Sequence, residues 1–408
     1  MIHLLIEPGD TGREDLGRYR SRGGYEGLTR ARAEGPAWVL SQVRAAGVRG
    51  RGGTGAGRPV AEKWERVSRS PAPTRYVVAN GAESLNLSRK DRLLMERYPH
   101  RVLEGLLVAM HAVGAEQGFL YVRGDAEAAV ASLEEALAEA RAAGLLTGEV
   151  TLVRSFPTPV SGEETAVIDA LEGQAGLPQP KPPYPERIGL RGFPTVVQNV
   201  ESLAAVAAAL RVGPERFRSL GTPDCPGTAL FTVTGDVERP GVYEVAYGTP
   251  LRELLRQAGA PAEPVAVFPG GPGTGPLRPD ELDVPLTYEA LAGIGSSLGA
   301  ATVVVVGPPA RLPEVVAEVA RFFASASCGQ CKGCQMGTRA LAEALAGGRP
   351  EDLERARALA ELMFHGRGNC LLPAGAARSV LRALAAFGPE FGLSQPPVSG
   401  PMPPPVRG

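Results

Sequence analysis

Apolar residues recur at every third or fourth position in PHRVLEGLLVAMHAVGA (99–115) and AEAAVASLEEALAEARAAG (126–144), which predicts two amphipathic helices. Around them stand short runs of β-branched and aromatic residues, YVVAN (76–80), FLYVRG (119–124) and GEVTLVRS (148–155). Such runs predict buried strands. Strands alternating with helices imply an α/β layer with parallel pairing, because a helix is the usual crossover between parallel strands. Nearer the N-terminus one helical pattern, GGYEGLTRARAEGPAWVLSQVRAAG (23–47), leads into the glycine run VRGRGGTGAG (48–57).

The alternation stops at GLPQPKPPYPERIGLRGFPT (176–195). So many prolines fix φ and remove donors, so this stretch predicts a stiff extended loop. A helix resumes in NVESLAAVAAALRV (199–212). Beyond it, ALFTVTGDVERPGVYEVAYGTPLRELLRQAG (229–259) has short strands, tight turns and one helix, the texture of a small α+β domain closing near residue 310. The stretch from LPEVVAEVARFFASASCGQC to FGPEFG reads as helical. The proline-rich end is expected to be disordered.

Composition narrows the function. With 44% hydrophobic and 21% charged residues, the chain has the make-up of a globular protein of two or three domains. A formal net charge of -1 gives no reason to expect a surface for nucleic acid or anionic lipid. The longest apolar stretches, such as ATVVVVG (301–307), are too short to span a bilayer, so no direct membrane insertion is expected. MIHLLIEPGD lacks the basic and apolar regions of a signal peptide. The protein is expected to be cytoplasmic, at most peripheral to a membrane complex.

Four of the five cysteines cluster. CGQCKGC places Cys328, Cys331 and Cys334 with two residues between each, and Cys370 follows in GRGNC. One loop can wrap three corners of an iron–sulfur cubane while a distant thiolate supplies the fourth. Structural zinc is the competing reading, but its cysteines come typically as two CxxC pairs, and Cys370 has no such partner. Cys225 stands alone and reads as a bystander. The glycines of GRGGTG (50–55) allow backbone amides close approach to a phosphate. The run matches neither a P-loop nor a clean GxGxxG, so alone it is also simply a loop.

Taken together, GRGG…KW (50–64), KDRLLMERYPH (90–100), SGEETAVIDALEG (161–173), KPPYP (181–185), GFPTVVQNVESLA (192–204), SCGQCKGCQMGT (327–338) and NCLLPAGAA (369–377) resemble one family. It is the flavin subunit of the NADH dehydrogenase module of respiratory complex I, with relatives in NAD-linked hydrogenases and formate dehydrogenases. The resemblance runs from residue 23 to 392. It implies an FMN/NAD(H)-binding α/β domain over 1–222, then a ubiquitin-like SLBB α+β domain over 223–310. A C-terminal helical bundle with a [4Fe–4S] cluster would fill 311–395, and a disordered tail 396–408. By the same resemblance, Gly50, Arg51, Gly52 and Gly53 would line the FMN phosphate, with Lys63 as counter-charge. Asn80 would meet the flavin. Gly162, Glu163 and the catalytic Glu164 would lie by the isoalloxazine and nicotinamide. Gln198 and Asn199 would hold the phosphate and ribityl side, and Lys181 and Tyr184 would contact the dinucleotide. Cys328, Cys331, Cys334 and Cys370 would ligate the cluster. A thioredoxin-like [2Fe–2S] subunit and further redox subunits are the implied partners.

The departures from the family pattern gather on the NAD(H) side. GRGGTGAGRPVAEKW is two residues longer than the family's GRGGAGFPTGLKW, and Ala56 replaces an aromatic residue. Ala82 and Leu85 stand for acidic residues, Pro159 for an aromatic one, and Gln198 for an asparagine. Stacking on a base contributes about 1–3 kcal/mol, so weaker dinucleotide binding is expected. Two functions follow: an oxidoreductase subunit passing electrons between NAD(H), FMN and the cluster, or a paralogue without NAD(H) that relays electrons or acts as a scaffold. Independently of any family, Glu163 and Glu164 also fit a plain acidic helix N-terminus. Lys63 also fits a solvated helix residue.

Overall fold

In a computed structural model, residues 3–9, 11–53, 57–83, 87–366 and 368–393 are described. Ala56, Leu85 and the tail at 396–408 lie outside them. The chain forms two compact units: Met1–Pro178 with Pro183–Leu230 and Glu244–Tyr247, and Gln179–Pro182 with Phe231–Tyr243 and Gly248–Gly408.

The first unit opens with helices α1 (Leu16–Arg20), α2 (Glu26–Glu34), α3 (Pro36–Ala46) and α4 (Val60–Ser68). The pattern over 23–47 predicts one helix, and the structure has two. Gly35 (φ 89°) leaves the helical region and Pro36 starts the next helix without needing a donor. Then follow β1 (Tyr76–Gly81), α5 (Lys90–Arg97), α6 (Pro99–Val113), β2 (Gln117–Arg123), α7 (Glu127–Ala142) and β3 (Glu149–Ser155). Helix α8 (Glu164–Leu171), β4 (Thr195–Asn199), α9 (Val200–Val212) and α10 (Pro214–Arg218) complete the series.

The sheet order is β3-β2-β1-β4, and every pairing is parallel. Strand β1 is central and its residues 76–79 are buried, as expected for a parallel strand covered on both faces. Helix α6 is buried almost all round. It meets α9 at Gly105, where an added Cβ would stand 2.2 Å from the Leu203 carbonyl oxygen. Only a residue without a side chain allows the two backbones so close.

Strand β4 corrects the sequence reading, which ran loop directly into helix there. Its five residues are hidden because Asn199 ends the strand and caps α9 with no intervening loop. The addition creates a topological switch. From β1 the chain moves to β2 and β3 on one side, then returns to β4 on the other. In open α/β sheets, ligands bind beyond the carboxyl ends of the strands at such a point. Here those ends carry Asn80, Gln198 and Asn199.

Further along, β5 (Thr228–Gly235), β6 (Gly241–Ala246), β7 (Ala266–Phe268) and β8 (Thr302–Val306) form a second sheet, ordered β6-β5-β8-β7. Strand β5 runs parallel to β8, and β7 antiparallel to it. Helices α11 (Leu251–Ala258) and α12 (Tyr288–Gly293) accompany these strands. Four helices follow: α13 (Leu312–Ala326), α14 (Lys332–Gly347), α15 (Pro350–His365) and α16 (Leu372–Ala386). They share an apolar core that includes Phe323, Leu341, Phe364 and Val380. Among the described residues, no helix is long and apolar enough to cross a membrane.

Candidate functional site

At the switch point Asn80 and Asn199 are register partners on adjacent strands. Asn80 donates from Nδ2 to the Gly162 carbonyl (2.9 Å) and accepts the Ala82 amide at Oδ1 (3.2 Å). It thereby ties the end of β1 to the turn before α8. Asn199 caps α9, its Oδ1 accepting the amides of Glu201 (3.1 Å) and Ser202 (3.4 Å). Gln198 is buried one residue earlier in β4.

The glycine run is closed at its base. Arg49 bridges Pro59, the Gly50 amide donates to the Arg58 carbonyl (2.8 Å), and the Val60 amide donates to Val48 (2.9 Å). The Arg51 amide is engaged by Ser202 Oγ at 2.9 Å. Beyond it the backbone opens: Gly52 and Gly53 are exposed, and none of the described residues accepts a hydrogen bond from their amides. Gly53 has φ 85°, a left-handed conformation that glycine adopts without cost. Gly52 lies against Asn199, where a Cβ would come within 3.4 Å of the asparagine's own. Two exposed donors at a switch point are a chemically suitable cradle for a phosphate.

Two expected phosphate contacts are placed otherwise. The Arg51 guanidinium is buried, with Nη1 on Glu201 Oε1 (3.1 Å) and the group 5.7 Å from the Tyr247 ring centroid. A buried carboxylate thus faces its charge. Lys63 directs Nζ to Glu164 Oε2 (2.9 Å) and to the Val197 carbonyl (3.1 Å). It is thus a partner of the expected catalytic carboxylate. Both side chains of that pair remain about a quarter exposed, 27% and 24%.

Glu163 is the N-cap of α8 and accepts the amides of Thr165 (2.8 Å) and Ala166 (3.3 Å). The plain helix-terminus reading therefore describes Glu163, while Glu164 has a cationic partner of its own. Tyr184 is half-buried, and its carbonyl accepts the amides of Arg187 (2.9 Å) and Ile188 (3.1 Å). Lys181 belongs to the segment Gln179–Pro182, grouped with the second unit. Pro159 is exposed in the turn before α8, and Ala82 is buried.

Sequence reasoning missed the charges under the loop. Lys90, Asp91 and Glu201 are all buried, and they interact with one another. Burial, with Glu83 and Glu201 nearby, pushes the Asp91 carboxyl up to about 7 against the pull of Lys90. Burial also opposes ionisation of Glu201, but Lys90 and Arg51 outweigh it and hold the group below the usual carboxylate range. In the sequence, Lys90 and Asp91 sit in KDRLLMERYPH without a role, because nothing local to that stretch signals burial.

In the helical bundle, Cys331 is the N-cap of α14 and Cys334 lies in its first turn. Cys370 stands two residues before α16. Helix N-termini favour negative charge, so thiolates are well placed there. The Asn369 amide points at Cys331 Sγ (3.5 Å), and Ser327 Oγ is 3.5 Å from Cys334 Sγ. Burial raises the Cys334 thiol pKa; Ser327 opposes this, while Cys331 and Cys328 add to it. Among the described residues, no three His, Cys, Asp or Glu side chains are gathered for a single ion. A cubane spreads its thiolates wider, since each binds a different iron. Donor type, helix ends and an amide aimed at sulfur all suit such a cluster. Cys225 is buried.

Three stretches of the chain match known families. Residues 43–208 match the Nuo51 FMN-binding domain, 230–277 the SLBB domain, and 314–393 the NADH-ubiquinone oxidoreductase-F iron-sulfur binding region. The chain is 36% identical over 390 residues to the F subunit of NADH-quinone oxidoreductase from Streptomyces coelicolor, covering 91% of this chain and 86% of that one. It is 36% identical over 405 residues to the corresponding protein of Escherichia coli, covering 93% and 90%. A crystal structure of NAD+-reducing [NiFe]-hydrogenase in the H2-reduced state aligns with a TM-score of 0.84 at 34% identity, covering 92% of this chain and 66% of that chain. The chain thus spans slightly under two thirds of the hydrogenase chain it matches.

Proposed function

This chain belongs to the family of F subunits of NADH-quinone oxidoreductase, and from that premise we infer that it passes electrons between NADH, FMN and a [4Fe–4S] cluster towards partner redox subunits. The observation that carries the flavin assignment is the pair of exposed amides, Gly52 and Gly53, beside Asn199 at the switch point. FMN, when bound, supplies a centre that accepts two electrons as hydride and releases them singly.

The chain's own residues have separate tasks. Gly52 and Gly53 receive the phosphate, and Gly50 and Arg51 hold the loop in shape. Asn80 fixes Gly162 and so sets the direction in which α8 starts. Glu164 offers a carboxylate, held by Lys63, to the reacting face. Gln198, Asn199 and Tyr184 are assigned to flavin and dinucleotide on the family pattern, and Lys181 by the resemblance alone. Cys328, Cys331, Cys334 and Cys370 take the cluster.

The domain limits 1–222, 223–310 and 311–395 are supported by the three matched segments, each of which falls inside one of them. The partner expected to take the electrons is a thioredoxin-like [2Fe–2S] subunit, and the location expected is cytoplasmic. The comparisons give the scaffold reading no support. Anaerobically purified protein should contain one FMN and four irons per chain. Stoichiometric zinc without iron overturns the cluster assignment, and absence of extractable FMN overturns the loop assignment.

A further inference from the structure

The buried charges beneath the glycine loop are unused by the flavin reading, yet they reach both halves of the proposed cradle. Lys90, at the first position of α5, contacts Asp91 Oδ1 (2.8 Å) and Glu201 Oε2 (2.9 Å). The other oxygen of Glu201 accepts from Arg51 Nη1 (3.1 Å) and from the Leu230 amide (3.0 Å). The other oxygen of Asp91 accepts from Asn199 Nδ2 (2.7 Å). Lys90, Asp91, Arg51 and Glu201 are each no more than 5% exposed.

Burying four ionisable groups is costly even when they are paired, and such networks are weak sources of stability. Their geometric effect is definite. Asn199 is fixed at both ends of its amide: Oδ1 caps α9, and Nδ2 is held by Asp91. Arg51 is fixed through its guanidinium by Glu201 and through its backbone amide by Ser202 in the capped turn of α9. Gly52 follows Arg51 and packs on Asn199. The two anchors of the exposed amides therefore converge on Lys90 and Asp91.

We propose that Lys90 and Asp91 are positioning residues for flavin mononucleotide, holding Asn199 and, through Glu201, Arg51, so that the Gly52 and Gly53 amides face the phosphate. The proposal rests on the flavin reading above. It assigns Lys90 and Asp91 no contact with the flavin itself. Their effect is on phosphate recognition, so it is felt by FMN and not by riboflavin.

The test titrates FMN and riboflavin into flavin-depleted full-length protein, with its cluster retained, by flavin fluorescence. In Asp91→Asn, the amide oxygen replaces either Oδ1 or Oδ2 and the other becomes an NH2 donor, so either Lys90 or Asn199 faces a donor in place of its acceptor. The expected result is a loss of FMN affinity of about tenfold or more, the scale of a lost charge-assisted hydrogen bond, with riboflavin affinity unchanged. Unchanged FMN affinity overturns the proposal, and so does an equal loss for both flavins, which a merely structural role gives. Should Asp91→Asn fail to fold, the double variant Lys90→Met with Asp91→Leu carries the same test, because Asn199 Nδ2 and Glu201 Oε2 then both lose their partners. Equal affinity of the wild-type protein for FMN and riboflavin removes the phosphate reading itself, and the proposal with it.

Discussion

Lys90 and Cys370 mark the two extremes of what a single residue discloses in sequence. Cys370 is identifiable because thiols are few and three others stand at cluster spacing; its position before α16 then supplies a helix N-terminus. Cys370→Ser is expected to make the cluster labile, with iron content falling well below four per chain on purification. Cys225→Ser should leave iron content unchanged. Equal iron retention in both variants counts against Cys370 as a ligand. Lys90, by contrast, looks like any charged residue at a helix start. Its burial is decided by Asp91, its neighbour in sequence, and by Glu201, more than a hundred positions away. Arg51 and Lys63 show the same limit: their charge made them candidates for a phosphate, while Glu201 and Glu164, distant in sequence, claim them in the fold.

Among the elements, the strands at 76–81, 117–123 and 149–155 and helices α6 and α7 were legible, because hydrophobic period and β-branched content agreed, whereas α5 was not read as a helix. Strand β4 was not. Three apolar-compatible residues followed directly by a capping asparagine look like a helix start, and only pairing with β1 makes them a strand. This element mattered most, since it creates the switch point and carries Gln198 and Asn199. Its position depends on α9, which continues from it and packs on α6 across Gly105. Gly105→Ala should force the two helices apart and destabilise the protein by about 1–3 kcal/mol, the usual cost of overpacking. Thermal or denaturant unfolding measures this. FMN affinity should fall with it, because α9 begins at Asn199. A variant as stable as the wild type contradicts the close approach.

For the molecule as a whole, flavin-binding, SLBB and iron–sulfur segments follow one another in a single chain, and that order was readable from motifs spread over residues 23–392. The departures at Ala82 and Pro159 could be located in the fold; those at Ala56 and Leu85 lie outside the described residues. All four replacements remove stacking or hydrogen-bonding groups from the dinucleotide side of the family pattern, so NADH is expected to work only at raised concentration. Lys63 and Glu164 remain paired, and Gly52 and Gly53 remain exposed. The central claim is that electrons enter this chain from NADH through FMN. Anaerobic stopped-flow absorbance of the flavin on mixing with NADH tests it most directly. Bleaching that saturates only well above micromolar NADH, followed by reduction of the cluster, is the predicted result. No bleaching at millimolar NADH, while dithionite still bleaches the flavin, would contradict the account.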